Sequence, residues 1–318
     1  MRTRVLVVVV AVVALAAGCK KKKATASAAS GSGAGTGSAG PAGSPGPAPA
    51  GKVTITAKPG GTRAKLDAAE IAKAAAGKNT PAAPAAPAEV KPEQDDQGDL
   101  SVVYAEGESD ARALLKDAQV FETAVENLNA SIKLPRNIEI HVDRCGEANA
   151  FYDPEKHSIT MCDELVEDVA QSMAEGRTDD ELGEAVVGAT YFFFLHELGH
   201  ALIDQLQLPA VGRQEDAVDQ LAAIILISGG DEGEAMALNG AESFTASGQD
   251  DTPFWDEHSL NEQRFYNIIC LIYGSNPEKY ADLVKDGTLP QGRAEQCPDE
   301  YQQVSASWDK LLEPYSKE

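Results

Sequence analysis

The chain has 318 residues, with 50 acidic side chains against 27 basic ones and a formal net charge of −23 at pH 7. So acidic a balance argues against nucleic acid as a partner, which asks for a basic face, and describes a soluble, non-sticky surface. Five cysteines and five histidines are few enough to follow one by one.

In chain order, Met1-Arg2-Thr3-Arg4 is a basic start, and Val5 to Ala17 is a continuous apolar run. A bilayer span takes about 20 residues, so this shorter run reads as the core of a signal peptide. It ends in Leu15-Ala16-Ala17-Gly18-Cys19, which resembles the lipobox of bacterial lipoproteins. The resemblance implies a signal peptide over 1–19, a lipid on the Cys19 thiol and a membrane partner held through it. Ala16 stands where leucine is commoner, and the alternative is ordinary secretion with Cys19 in the discarded peptide. Lys20 to Lys23 can touch anionic headgroups beside the lipid. Lys20 is not the aspartate linked to inner-membrane retention, so the expected location is the cell envelope, at the outer membrane or cell surface. Residues 20–98 are four lysines and then Ala, Gly, Ser, Pro and Thr in excess, too little apolar surface to offset chain entropy. They read as a disordered tether, with a transient helix over Ala64–Lys78.

Residues 99–318 are long enough for one domain with a sizeable core. With Cys19 set aside, Cys145, Cys162, Cys270 and Cys297 remain, an even number in a chain bound for an oxidising compartment. Proximity favours the pairs Cys145–Cys162 and Cys270–Cys297, and no C-x-x-C spacing suggests a zinc–thiolate site. Apolar spacing predicts one helix over Asp110–Leu128. Asn137–Val142 and His157–Cys162 alternate as strands do; with a turn at Tyr152–Lys156 they are expected to pair antiparallel. Helices follow over Asp163–Gly176 and Asp179–Gln205, the second opening on three acidic residues at its positive dipole end. After Leu208-Pro209, Gly212–Leu226 reads as another amphipathic helix. Ser228–Pro253, acidic and Gly-rich, reads as a solvated loop with one short helix. A last helix runs through Ile268, Ile269 and Leu271, capped by Ser259 or Asn261.

The long helix carries His196-Glu197-Leu198-Gly199-His200. Residues four apart lie about 40° apart around a helix, so both imidazoles leave one face. They supply half of a tetrahedral zinc shell, with Glu197 placed to reach a water on the metal. Gly199 costs about 1 kcal/mol relative to alanine, which suggests a segment crossing closely there. On the next helix Glu215 and Asp219 are again four apart, and a carboxylate is what a two-histidine site lacks.

H-E-x-x-H followed by E-x-x-x-D resembles the gluzincin metallopeptidases. More closely, HELGHALID, LP and G-R-x-E-D-A-x-D-Q-L-A resemble a bacterial metallopeptidase-like family of uncharacterised function, the likeness running from about Leu100 onward. The resemblance implies an α+β, zincin-like fold, mainly helical, with a small antiparallel sheet beside the active helix. It implies a Zn2+ cofactor held by His196, His200 and Glu215, with Glu197 as general base and Asp219 orienting His196. It also implies a peptide or protein substrate, paired along a sheet edge near Asn149–Tyr152 or on the following strand. Only 15 residues separate His200 from Glu215, fewer than in thermolysin-like enzymes, so Asp216 competes as third ligand. His258 is the candidate oxyanion stabiliser, with Arg264 and Tyr266 as rivals, and Asp204 either orients His200 or sits in a solvated helix end. The function expected is zinc-dependent peptide hydrolysis at the envelope. The alternatives are a non-catalytic, zinc-containing binding or scaffold lipoprotein and a protease held latent.

Overall fold

A computed structural model describes residues 96–246 and 252–317. The signal peptide, Cys19, the lysine run and the tether as far as residue 95 lie outside the described residues. The Gln97 and Gly98 N–H groups both donate to the Leu134 carbonyl, at 3.0 and 2.9 Å. Paired backbone therefore begins slightly before the change in composition at residue 99.

Four strands form one sheet: β1 (Leu100–Tyr104), β2 (Ile138–Asp143), β3 (Ala150–Asp153) and β4 (Ser158–Cys162). Their order is β1-β2-β4-β3, with β1–β2 and β2–β4 parallel and only β3–β4 antiparallel. The expected antiparallel pairing of β2 with β4 is thus corrected, because β3 folds back against β4 and takes the antiparallel slot. The sheet is mixed and small, within a mainly helical α+β domain. A tight turn makes the β3–β4 hairpin: the Asp153 carboxylate accepts the Glu155 and Lys156 N–H groups, and His157 takes a left-handed φ of 55°.

Between β1 and β2 lie α1 (Asp110–Asp117) and α2 (Val120–Ser131), where one continuous helix was expected. Leu115 and Phe121 are both fully buried. Six residues along an unbroken helix they would point about 120° apart. A break at Gln119, with φ of 50°, turns both toward the core.

After β4 come α3 (Asp163–Ser172) and α4 (Asp179–Gln205), then α5 (Gln214–Ser228) and α6 (Gly230–Ala246). Thr178 caps α4 in a reciprocal box with Glu181. From Ala185 to Ile203 nearly every side chain of α4 is buried, so it runs as a central rod with neighbours on all sides. Each fully buried Leu, Ile or Phe here contributes about 1.5–3 kcal/mol of transfer free energy. Gly199 is where α5 crosses: a Cβ there would meet Val218 Cγ1 at 2.7 Å.

The stretch expected to be a solvated loop is mostly α6, a 17-residue helix. Met236, Ala237, Gly240, Ala241 and Phe244 recur at helical spacing and are buried. Gly240 lies directly under the Phe192 ring, where any Cβ would collide. Beyond it are α7 (Asn261–Ser275), α8 (Asp282–Lys285), α9 (Gln291–Ala294) and α10 (Cys297–Leu312). The disulfides are Cys145–Cys162, joining β2's exit to β4's end, and Cys270–Cys297, joining α7 to the start of α10.

Candidate metal centre

His196 and His200 leave α4 on the face met by the first turn of α5, which presents Glu215. His196 Nε2 lies 3.1 Å from Glu215 Oε2, His200 Nε2 lies 3.3 Å from it, and the two Nε2 atoms are 3.3 Å apart. Metal–ligand bonds of about 2.0–2.1 Å at tetrahedral angles put ligand atoms about 3.3 Å apart, so the three contacts have the edge length of a zinc shell. Tautomers make the case stronger. His196 Nδ1 meets Asp219 Oδ1 at 2.7 Å and His200 Nδ1 meets Gln214 Oε1 at 2.9 Å. Both partners are acceptors, so each Nδ1 carries a proton, and in the neutral ring each Nε2 turns a lone pair inward. Two such lone pairs and a carboxylate oxygen facing one another repel unless a cation stands among them, either protons on the imidazoles or a metal ion. His196, His200 and Glu215 are accordingly the one group of three ligands among the described residues that could hold a metal ion.

The electrostatics report the same crowding. Burial alone would raise the Glu215 carboxyl, yet hydrogen bonds from His196, His200 and His258 hold it far below the usual carboxylate range. Burial pulls His196 down, but Asp219 and Glu215 outweigh it and hold the imidazole up at about 9. Asp219 is buried too, and the Arg264 charge together with His196 keeps its carboxyl down at about 2. Glu197 is raised, chiefly by burial, with the two ligand histidines pulling the other way. Its Oε1 lies 4.0 Å from His196 Nε2.

These groups open into a cleft of about 620 Å³ whose far wall is β3 and the turn after it, with Phe151, Tyr152 and Pro154. His258 lines the cleft 41 % exposed, its Nε2 3.1 Å from Glu215 Oε2 and its Nδ1 3.1 Å from Asp256. It does not belong to the metal trio. Arg264 is committed elsewhere, giving Asp219 two hydrogen bonds of 2.7 and 2.8 Å and lying over the Phe244 ring. Tyr266 packs on Phe265 and does not line the cleft. Asp216 accepts the Ser259 hydroxyl at 2.6 Å, outside the trio, which leaves Glu215 as the carboxylate facing both imidazoles. Asp204, half-buried at the C-terminal end of α4, lines the cleft and accepts the Tyr152 hydroxyl at 2.8 Å, so it does not orient His200. Ser259, taken up by Asp216, is not the α7 cap; the Gln263 side chain accepts the Leu260 N–H instead.

Two partners escaped the sequence. Gln214 bears no signal beyond standing next to Glu215, and Arg264 reaches Asp219 from an element 45 residues away.

A family model described as "Putative metallopeptidase" matches residues 103–312, from within β1 to the last residue of α10. The chain belongs to that family. No curated protein and no solved structure matches the chain. The matched span contains every residue of the cleft, so membership in a metallopeptidase family and the converging trio bear on the same place.

Proposed function

We propose that the protein is a zinc-dependent peptidase, exported and held at the cell envelope by a lipid on Cys19. What carries the reading is the meeting of two Nε2 lone pairs and the Glu215 carboxylate at tetrahedral edge lengths, beside Glu197, in an open cleft. Two imidazoles and a carboxylate are the donor set of catalytic rather than structural zinc, which leaves one corner for water and substrate. When bound, zinc supplies Lewis acidity for the substrate carbonyl and lowers the pKa of water there.

The chain's own groups divide the remaining work. Glu197 takes a proton from the attacking water and returns it to the leaving amine; a carboxyl raised by burial is suited to both halves of that transfer. Asp219, braced by Arg264, holds His196 in the tautomer that offers Nε2, and Gln214 does so for His200. His258 is the one of the three oxyanion candidates whose ring lines the cleft; with Asp256 on its Nδ1 and Glu215 holding it in the protonated form, its Nε2–H would turn from Glu215 to charge developing on the carbonyl oxygen once Glu215 is engaged by the metal. The outer edge of β3 has no partner strand among the described residues, and an extended peptide can pair with it. The envelope assignment is supported by the leader and the lipobox-like ending at Cys19.

In the full chain, Glu197→Gln is expected to keep one zinc per chain while peptide cleavage falls by at least about a hundredfold. Zinc content by atomic absorption and turnover of a quenched peptide mixture, with and without chelator, check this. Equal cleavage by the variant would reject Glu197 as the base, and chelator-resistant cleavage would reject the metal. Radiolabelled palmitate incorporation lost in Cys19→Ala tests the anchor.

A further inference from the structure

The cleft carries charge that hydrolysis does not use. Besides the histidines, Glu197 and Glu215, its charged lining is Asp204 and Glu257, and no lysine or arginine is among the described residues that form it. Asp204 stands one helical turn past His200 on the same side of α4. Its Oδ2 takes the Tyr152 hydroxyl, and no basic side chain among the described residues is ion-paired with it. Arg136 is close enough for its charge to reach Tyr152, but its guanidinium meets His157 at 3.3 Å.

A second, independent feature says what faces this carboxylate. Tyr152 lies on β3, the edge strand, and its ring reaches across the cleft to α4. A peptide paired along β3 alternates its side chains with period two, so the residue beside Tyr152 projects the same way, toward Asp204. We propose, resting on the peptidase reading, that the cleft selects peptides with a lysine or arginine close to the scissile bond, and that Asp204 receives that side chain. Glu257, at the His258 side of the same cleft, adds to a field that draws cations and repels acidic peptides. A charge-assisted hydrogen bond in a partly enclosed cleft discriminates by about tenfold or more.

The experiment uses the full-length, zinc-loaded chain and quenched peptides identical but for Lys, Ala or Glu at each position flanking the bond. At one position kcat/KM is expected about tenfold higher for Lys than for Ala, and lower still for Glu. Asp204→Asn, which keeps an acceptor for the Tyr152 hydroxyl, is expected to bring Lys and Ala within about twofold, and Asp204→Lys to favour Glu. Binding is read separately by fluorescence anisotropy on the Glu197→Gln protein. There the lysine peptide is expected to bind about tenfold tighter than the alanine peptide, with the gap narrowing as salt rises. Equal rates for Lys and Ala in the unaltered protein, or a preference that survives Asp204→Asn, overturn the assignment. If no peptide is cleaved but the lysine peptide still binds through Asp204, the subsite stands and the peptidase reading fails. If no peptide is cleaved and none is bound, both fail.

Discussion

His196 and His200 are one helical turn apart and point at the same carboxylate, yet they stand in different media. On the inner side His196 is 4 % exposed, and its Nδ1 is held by Asp219, which Arg264 clamps with two hydrogen bonds. On the outer side His200 is partly exposed, and its Nδ1 is held by the neutral amide of Gln214. A charged brace inside a protein is rigid and costly to break, because removing one partner strands the other's charge. A neutral brace at a cleft wall strands nothing and can adjust. The centre thus has a fixed half, built into the helix packing, and a compliant half facing the open cleft.

The largest expected effect follows from emptying the fixed half. Asp219→Ala leaves the Arg264 guanidinium buried without its acceptor and frees the His196 ring to turn. The cost is expected to be about 3–5 kcal/mol of stability, with zinc affinity down about 10- to 100-fold. Urea unfolding in excess zinc and a competitive zinc titration measure the two. A loss no larger than that of Asp216→Ala, whose partner is the Ser259 hydroxyl, would mean that the inner side is not specially braced.

The second effect is a pH dependence that metal should erase. His196 is held at about 9 against an ordinary 6.5, so its protonated form stabilises the fold fully below pH 6.5. That contribution is lost as pH rises through 9. In chelator the protein is therefore expected to lose stability steadily across this window. With zinc the loss should vanish, because the metal takes the proton's place and binds more tightly as pH rises. Urea midpoints at pH 6, 7.5 and 9, with zinc or chelator, decide it; a flat profile in chelator would break the picture of a strongly paired inner histidine. Next comes Gly199→Ala, which places a methyl against Val218 where α4 and α5 cross. It is expected to cost about 1–3 kcal/mol by forcing apart the helices that carry the two halves, and thermal unfolding measures it.

Legibility follows the same divide. The i, i+4 spacings of His196 with His200 and of Glu215 with Asp219 are local, so sequence put each pair on one helix face. Gly199 marked the crossing, because a glycine inside a buried helix needs a reason. The tertiary partners were not legible, since nothing local distinguishes Arg264 or Gln214 from a solvated polar residue. The α6 helix was hidden by glycines and acids that read as loop. Its buried stripe of Met236, Ala237, Gly240, Ala241 and Phe244 was in view, and one of those glycines exists to admit Phe192. The sheet held a contradiction that could have been caught. If β2 and β4 ran antiparallel with Val142 opposite His157, Cys162 would lie five residues, about 17 Å, back along the strand from the end nearest Cys145. In the parallel register Cys162 stands opposite Asp143, two residues from Cys145. The expected disulfide and the expected pairing were at odds, and the disulfide was the better guide.

The smallest effect is the sharpest test of the comparison, because it asks whether the outer half is compliant. Gln214→Ala removes the acceptor from the His200 Nδ1 but leaves no buried charge behind, and water from the cleft can take the amide's place. Stability in chelator is expected to stay within about 0.5 kcal/mol, and zinc affinity to fall by about tenfold or less. Gln214→Glu should restore the affinity, since a carboxylate accepts the same proton and makes the ring more basic. A loss in Gln214→Ala as large as that in Asp219→Ala would mean that both histidines are held alike. The open wall of the cleft would then be as rigid as the helix core behind it.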